Sequence, residues 1–321
     1  MFVGLREKNN IFASSFQLLL QIYLTPMHHT RGPVAIRKMG KILADPVVCI
    51  TTVVSVVTVG IGCYLYFSKR PIPALEKNAV RQFTLIEKEQ KSPNTYRYRF
   101  SLPNKWNVLG IPIGQHIQIL APIDGKEVVR NYTPTSPSDA KGYFDILVKT
   151  YPDGLMSNYL VNLEIGDKIT ARGPKGLFEY TPNMVRAIGM VAGGSGITPM
   201  YQIIKAILGN QKDKTEVTLI YGNQTEPDIL LREELDVLAA MHPNRFNVHY
   251  VLSRPHTTWA GHTGRIDKEK MEMWLPKPAG DVKILVCGPP GQVKAITEAA
   301  TALGFVSPRT VSKVVDQVFK F

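Results

Sequence analysis

Apolar and polar positions change their rhythm three times along this chain. Residues 47–67 carry no charge, and they lie between Asp45 and Pro46 on one side and Lys69, Arg70 and Pro71 on the other. A helix over those 21 residues would reach roughly 30 Å at about 1.5 Å per residue, the thickness of a hydrocarbon core. The run therefore predicts one membrane anchor. Its Val and Thr content would also suit strands in a core, but no turn residue interrupts it before Gly60. A cleaved secretory signal would be shorter and would begin earlier. Upstream, residues 11–24 form a second apolar stretch of 14 residues containing Ser, Gln and Tyr, which suits an interfacial helix better than a span.

Beyond a polar linker over residues 68–80, period-two alternation recurs at residues 95–100, 116–120, 127–133 and 143–151, separated by Pro and Gly turns. This pattern predicts an antiparallel β-barrel or sandwich over residues 81–180. After Thr181, Pro182 and Asn183 the texture changes. Short apolar strands at 187–192, 217–221, 246–252 and 282–287 alternate with helical patterns at 200–208, 229–241 and 292–303. Residues 181–321 therefore read as an α/β unit with a parallel, Rossmann-like sheet. The expected class is α+β in two domains behind an N-terminal transmembrane helix.

Charge changes the picture only at the N-terminus. Residues 1–81 hold ten Lys and Arg against three Asp and Glu, so they supply +7 of the net +12 and leave +5 for the other 240. A basic leader over residues 1–46 fits a membrane surface or targeting role. Nucleic acid is not implied, because no basic stripe interleaved with aromatics occurs in the globular part. Basic residues flank the anchor on both sides, so the charges assign no orientation. Met39 stands just before a compact basic start to the anchor, and initiation there would give a conventional short N-terminus. Three cysteines, two of them in the apolar run, provide no disulfide framework.

Candidate chemistry lies in a few short motifs. Arg130-Asn131-Tyr132-Thr133-Pro134-Thr135-Ser136 sets an Arg beside an aromatic and a run of hydroxyls. Such a set can grip a pyrophosphate by a forked bond, cover a flat ring and donate to ring nitrogens. By itself it reads more readily as an exposed edge strand with a Pro-terminated turn. Gly193-Gly194-Ser195-Gly196-Ile197-Thr198-Pro199 follows an apolar strand and opens a helix, the context in which backbone approaches a dinucleotide, although its spacing is not the usual G-x-G-x-x-G. Gly154 opens a helical stretch with Leu155, Met156 and Ser157. Cys287 ends a strand and leads into Gly288-Pro289-Pro290, and strand C-termini are where ligands bind in such sheets. Lys149 and Tyr151, two apart, would share one face of their strand. The seven histidines show no ligand spacing, and Ser195 lacks the surroundings of a hydrolase nucleophile. No metal site is expected.

With the closing Asp316-Gln317-Val318-Phe319-Lys320-Phe321, Tyr221-Gly222-Asn223-Gln224-Thr225 and the run from Asp228 to Arg232, these motifs resemble the NADH-cytochrome b5 reductases of the ferredoxin-reductase-like flavoenzymes, in a fungal-like, membrane-anchored form. The resemblance covers residues 83–321. It implies FAD on the barrel, with Arg130 on the pyrophosphate, Asn131 and Tyr132 along the flavin and ribityl chain, and Thr133 at N5. Leu147, Tyr151, Leu155, Met156 and Ser157 join that site. It implies NADH, with NADPH possible, against Gly193, Gly194, Gly196, Thr198, Pro199, Gly288 and Pro289. Thr133, Lys149 and Cys287 would be the catalytic set, Lys149 meeting the nicotinamide nucleotide and Cys287 orienting the ring.

Departures from the family's pattern are equally specific. Asn131 stands where Pro is usual, and Leu155 where a basic residue or Asn is common. Ser253 followed by Arg254 replaces an Asp that accepts ribose hydroxyls and repels a 2'-phosphate, and Arg265 replaces an aromatic near the adenine. The function implied is hydride transfer from NADH to FAD, then single electrons to cytochrome b5 or a similar small haem protein. The catalytic part would face the cytosol from the endoplasmic reticulum or the outer mitochondrial membrane. A quinone or ferric acceptor, or a nucleotide-binding redox sensor without turnover, are the other readings of the same residues.

Overall fold

The computed structural model describes the backbone of residues 46–68, 71–77 and 79–321, and side chains over 50–62, 71–77 and 79–321. The expected interfacial stretch at residues 11–24 and the alternative start at Met39 lie outside the described residues. The chain divides into two compact units, Met1–Arg70 and Pro71–Phe321.

In the first unit, α1 (Pro46–Ser68) is a 23-residue helix without acidic or basic residues in its end turns. Among the described residues no helix is long and apolar enough to cross a membrane. The side chains described in α1 span thirteen residues, about 20 Å of helix. Of these, Ile50, Val53, Val54, Val56, Val57, Val59 and Ile61 are exposed.

The second unit opens with six antiparallel strands: β1 (Val80–Ser92), β2 (Thr95–Ser101), β3 (His116–Ile123), β4 (Lys126–Tyr132), β5 (Tyr143–Lys149) and β6 (Lys168–Lys175), in the order β4-β3-β6-β1-β2-β5. The 13-residue β1 makes the sheet curl. Its first five residues pair with β6, and after a register shift at Leu85 the rest pairs with β2. One face fills with Phe83, Tyr98, Phe100, Phe144 and Ile146, all essentially buried, and Phe83 meets Phe144 edge-on at 5.1 Å. The barrel is not closed by a ladder, because β4 and β5 are the two ends of the sheet. They meet only beyond β4, where Thr135 N donates to Asp145 O at 2.9 Å. Two of its strands, β1 and β6, lie outside the sequence pattern that predicts the other four.

The second sheet is parallel, in the order β10-β9-β8-β7-β11-β12. Its strands are β7 (Ala187–Gly193), β8 (Glu216–Asn223), β9 (Phe246–Leu252), β10 (His262–Thr263), β11 (Val282–Cys287) and β12 (Val318–Lys320). Every residue of β7 is buried, as a strand covered on both faces requires. From β7 the chain winds outward through β8, β9 and β10, then crosses to β11 on the other side. That reversal puts a topological switch point at the C-terminal ends of β7 and β11, where a crevice opens.

The helices are α2 (Leu155–Val161), α3 (Ile197–Gly209), α4 (Arg232–Met241), α5 (Lys268–Trp274) and α6 (Pro290–Ala302). α3 buries Ile197, Ile203, Ile204 and Ile207, each worth roughly 1.5–3 kcal/mol when removed from water. α4 begins three residues later than the periodicity predicts, because Leu231 takes φ 58° and only then does the chain turn helical. The two sheets share apolar packing, since Leu147, Phe178 and Tyr180 of the barrel part join the cluster around Ile188, Met200 and Leu219. Gln202 of α3 adds a polar tie: its Oε1 accepts the Gly114 N–H at 2.7 Å.

Candidate active site

The open side of the barrel is where its motif residues gather. Arg130, Asn131 and Tyr132 on edge strand β4 face Leu147 and Lys149 on edge strand β5 across a cleft of about 370 Å³, whose floor includes Met156 and Ser157. The Arg130 guanidinium is exposed, donates only to the neighbouring Val129 carbonyl at 2.8 Å, and pairs with no carboxylate among the described residues. Burial pushes the Tyr132 phenol up to about 12 against the opposing Arg130 charge, so it stays protonated and able to donate. Leu155 and Tyr151 present half-exposed side chains to the cleft, whereas Leu147, Met156 and Ser157 are buried. Ser157 Oγ donates to Gly154 O at 3.0 Å, which closes the turn before α2. A Cβ at Gly154 would sit 2.2 Å from that Oγ, so a side chain there would displace the Ser157 hydroxyl from this bond.

Directly beyond β4, Thr133 borders a larger cleft of about 960 Å³. Its hydroxyl makes no hydrogen bond within the chain among the described residues. The opposite wall is the switch point of the parallel sheet. Cys287 at the end of β11 lies in register with Ala192 at the end of β7, so the Gly193 and Gly288 turns abut. A Cβ at Gly196 would lie 2.3 Å from Cys287 O and 2.9 Å from Gly288 N, both backbone atoms, so only glycine lets the two turns meet. Gly194 has φ +52° with nothing within 4 Å of its missing side chain, and it leaves backbone facing open space. The buried Tyr221 hydroxyl props that turn by donating to Gly194 O at 3.0 Å. Thr198 opens α3 and borders both clefts, its hydroxyl bonded to Ser195 O at 3.2 Å.

Cys287 is a free thiol, and burial pushes it up to about 12. At neutral pH it is a neutral, polarisable group rather than a thiolate nucleophile. The site also contains His116 and Phe178, which the motifs do not single out. His116, whose pKa burial lowers, lines the larger cleft, and so does the aromatic edge that Phe178 makes with Phe319 and Phe321 of the closing motif. The periodicity of β3 places His116 on a strand but says nothing of what lies opposite, so no sequence signal singles it out.

A third cleft of about 690 Å³ runs over the C-terminal ends of β7, β8 and β9. Ser253 and Arg265 stand together in its wall with Asn223, whose side-chain nitrogen and oxygen are both buried without a hydrogen-bond partner. Arg254 is exposed and is not part of that wall. Lys149 separates this cleft from the smallest one, with Nζ donating to Asp228 Oδ1 at 2.6 Å. Tyr151 borders all three clefts. It does not share a strand face with Lys149, because β5 ends at Lys149 and Tyr151 lies in the following turn, tied by its N–H to Ser157 Oγ at 3.4 Å.

These residues fit two cofactors. An unpaired guanidinium, a protonated phenol and an unbonded threonine hydroxyl suit the pyrophosphate, ribityl chain and ring of FAD. Two abutting glycine turns at a switch point, with an orphaned Asn amide nearby, suit a nicotinamide dinucleotide.

Comparison with known proteins agrees. A family model described as the oxidoreductase FAD-binding domain matches residues 82–180, and one described as the oxidoreductase NAD-binding domain matches residues 190–298. The chain is 50% identical over 278 residues to NADH-cytochrome b5 reductase 1 of Candida albicans, covering 86% of this chain and 95% of that one. It is 48% identical over 278 residues to the Debaryomyces hansenii protein of the same name, covering 86% and 98%. Among solved structures, it resembles the cytochrome b5 reductase domain of Ulva prolifera nitrate reductase with a TM-score of 0.72 at 36% identity, covering 78% of this chain and 100% of that one. The CS-b5R domains of human Ncb5or, in an NAD+ form, match with a TM-score of 0.66 at 29% identity, covering 76% and 69%.

Proposed function

Because the chain belongs to the NADH-cytochrome b5 reductase family and is an oxidoreductase using FAD and NADH, we propose that it is a membrane-anchored reductase that passes electrons from NADH to cytochrome b5. The observation that carries this reading is Tyr151, the residue common to the flavin-side clefts and the nucleotide-side cleft. It marks one continuous site in which two cofactors can stack.

FAD, when bound, supplies the conversion of an electron pair delivered as hydride into single electrons that a haem iron accepts. The chain supplies everything around it. Arg130 holds phosphate by charge and geometry. Thr133 and Thr198, which line the same cleft from the two sheets, would hydrogen-bond the flavin ring. Cys287, a neutral thiol lining the larger cleft, would contact the nicotinamide and help to orient it. Lys149, held by Asp228, lies where the flavin-side and nucleotide-side clefts meet.

Anchoring is supported by α1. It is uncharged over residues 47–67, and its described apolar side chains point outward on every side, an arrangement that lipid rather than water stabilises. On this reading the catalytic unit lies in the cytosol, on the endoplasmic reticulum or the outer mitochondrial membrane.

The test is spectroscopic. The full chain in detergent should be yellow, should bleach on anaerobic addition of NADH, and should regain colour when oxidised cytochrome b5 is added. Bleaching without recovery by the cytochrome, but with recovery by a quinone or ferric complex, would assign another acceptor. Retention of colour with NADH bound would make the protein a sensor.

A further inference from the structure

Trp106 is 63% exposed on the loop between β2 and β3, an unusual position for the largest amphipathic side chain. Two ammonium groups lie over its ring, Lys105 Nζ at 5.2 Å and Lys141 Nζ at 6.0 Å from the centroid. Hydrogen bonds stitch this loop to the first residues of the compact unit. Ile72 O accepts from Asn107 Nδ2 at 2.8 Å and from Val108 N at 3.2 Å, while Ala74 N donates to Val108 O at 2.8 Å. Gly142 completes the patch. Its N–H donates to Asn107 O at 2.8 Å, and a Cβ there would lie 3.2 Å from Lys105 Cα, so glycine brings Lys141 against the loop. Ile72 is itself 63% exposed.

We propose that Ile72, Lys105, Trp106 and Lys141 form a docking surface for the headgroup layer of a membrane containing anionic lipid. The proposal rests on the reading that residues 47–67 enter that membrane. Only four residues lie between Phe67 and Ile72, at most about 18 Å of extended chain, so on that reading the patch lies within reach of the bilayer surface. An indole with an apolar neighbour and a pair of lysines is the chemistry that settles at a headgroup boundary, where the ring lies shallow and each ammonium gains from anionic phosphate. Of the acidic groups in the adjoining segments, Glu76 faces Arg81 at 3.6 Å. Lys69 and Arg70 add two more cations to the same stretch of chain. The surface would hold the catalytic unit in one orientation on the membrane.

The test uses the full chain in vesicles of phosphatidylcholine brominated near the headgroup, with and without phosphatidylserine. Tryptophan emission should be quenched by up to roughly one third, the share of one Trp among three. Quenching should be stronger with phosphatidylserine, and Trp106→Phe should abolish the difference. Lys105→Glu with Lys141→Glu should weaken quenching in the anionic vesicles. NADH oxidation with a small soluble acceptor should not change in any of these variants, which shows that they fold. An alkaline carbonate wash of the same vesicles reads the anchor separately. A chain that survives the wash but shows equal quenching in the parent and Trp106→Phe overturns the docking surface and leaves the anchor standing. A chain that washes off yet is quenched through Trp106 at neutral pH upholds the surface and overturns the anchor. Weaker reduction of cytochrome b5 by Trp106→Phe in lipid-free detergent would assign the patch to the acceptor protein and overturn the lipid reading.

Discussion

Lys149 on edge strand β5 donates to Asp228, 79 residues later within the second sheet's β8–α4 connection, at 2.6 Å with side chains only 12% and 19% exposed. Asp228 also accepts from Thr225 N at 3.0 Å and Thr225 Oγ1 at 2.7 Å. One ion pair thus links the two sheets at the border between the flavin-side and nucleotide-side clefts.

That pair makes stability depend on acid pH in a definite sense. Burial alone would raise the Asp228 carboxyl, but bonds from Lys149 and Thr225 outweigh it and hold the group below its usual range. A folded pKa below the unfolded one gives stabilisation that is complete above about pH 4 and is lost as pH falls through the folded value. Lys149→Met should cost about 1–2 kcal/mol at pH 7, less than the 3–5 typical of a fully buried pair because water reaches both groups. Urea midpoints measured from pH 7 downward should show the parent's lead over Asp228→Asn shrinking below about pH 4. A lead that grows with acidity would reverse the sign argued here.

Arg130→Ala should lose FAD. The guanidinium has no competing carboxylate, so its charge is free for phosphate, and removing it should weaken binding by about 2 kcal/mol or more, roughly 30-fold. Flavin retention on gel filtration, with the dissociation constant from fluorescence recovery, measures this. Full occupancy at unchanged affinity would remove Arg130 from the site.

The glycines of the nucleotide turn should separate into two kinds. Gly196→Ala places a methyl against Cys287 O and Gly288 N, so the two turns must part, and both thermal stability and kcat/KM for NADH should fall together. Gly194→Ala meets no atom but must adopt φ near +52°, a strain of roughly 1 kcal/mol. Its methyl projects into the cleft, so KM for NADH should rise more than stability falls. Melting curves and steady-state kinetics on both variants check the contrast.

Ser253 shares the wall of the third cleft with Arg265, and the carboxylate among the described residues lining that cleft, Asp228, is already paired with Lys149. Discrimination between NADH and NADPH should therefore be modest, with NADH still preferred. Ser253→Asp should sharpen it by about 1 to 3 kcal/mol, roughly tenfold to a hundredfold in the ratio of kcat/KM values. The ratio must be taken at fixed ionic strength, since the effect is electrostatic. No change would place Ser253 away from the nucleotide's ribose.

The sequence by itself determined the antiparallel-then-parallel organisation, because strand alternation and buried-strand runs follow from one-dimensional periods that survive in any tertiary setting. β9 and β11 coincide with their apolar runs, and the motifs at Arg130, Gly193 and Cys287 are contiguous enough to read directly. It could not reveal β1 as a hinge between two ladders, since Glu, Lys and Gln dominate its second half and its alternation is lost at the register shift. Nor did periodicity separate Tyr151 from Lys149: strand propensity ran on past the point where β5 stops. Only the tertiary structure decided that β4 and β5 are unpaired edges with a cleft between them, that Gly196 must be bare because a Cβ there would lie 2.3 Å from the Cys287 carbonyl oxygen, and that Lys149 answers to Asp228. Each of those depends on segments tens of residues apart arriving at one place, and contact across such separations is set by how the sheets pack, which no local pattern encodes.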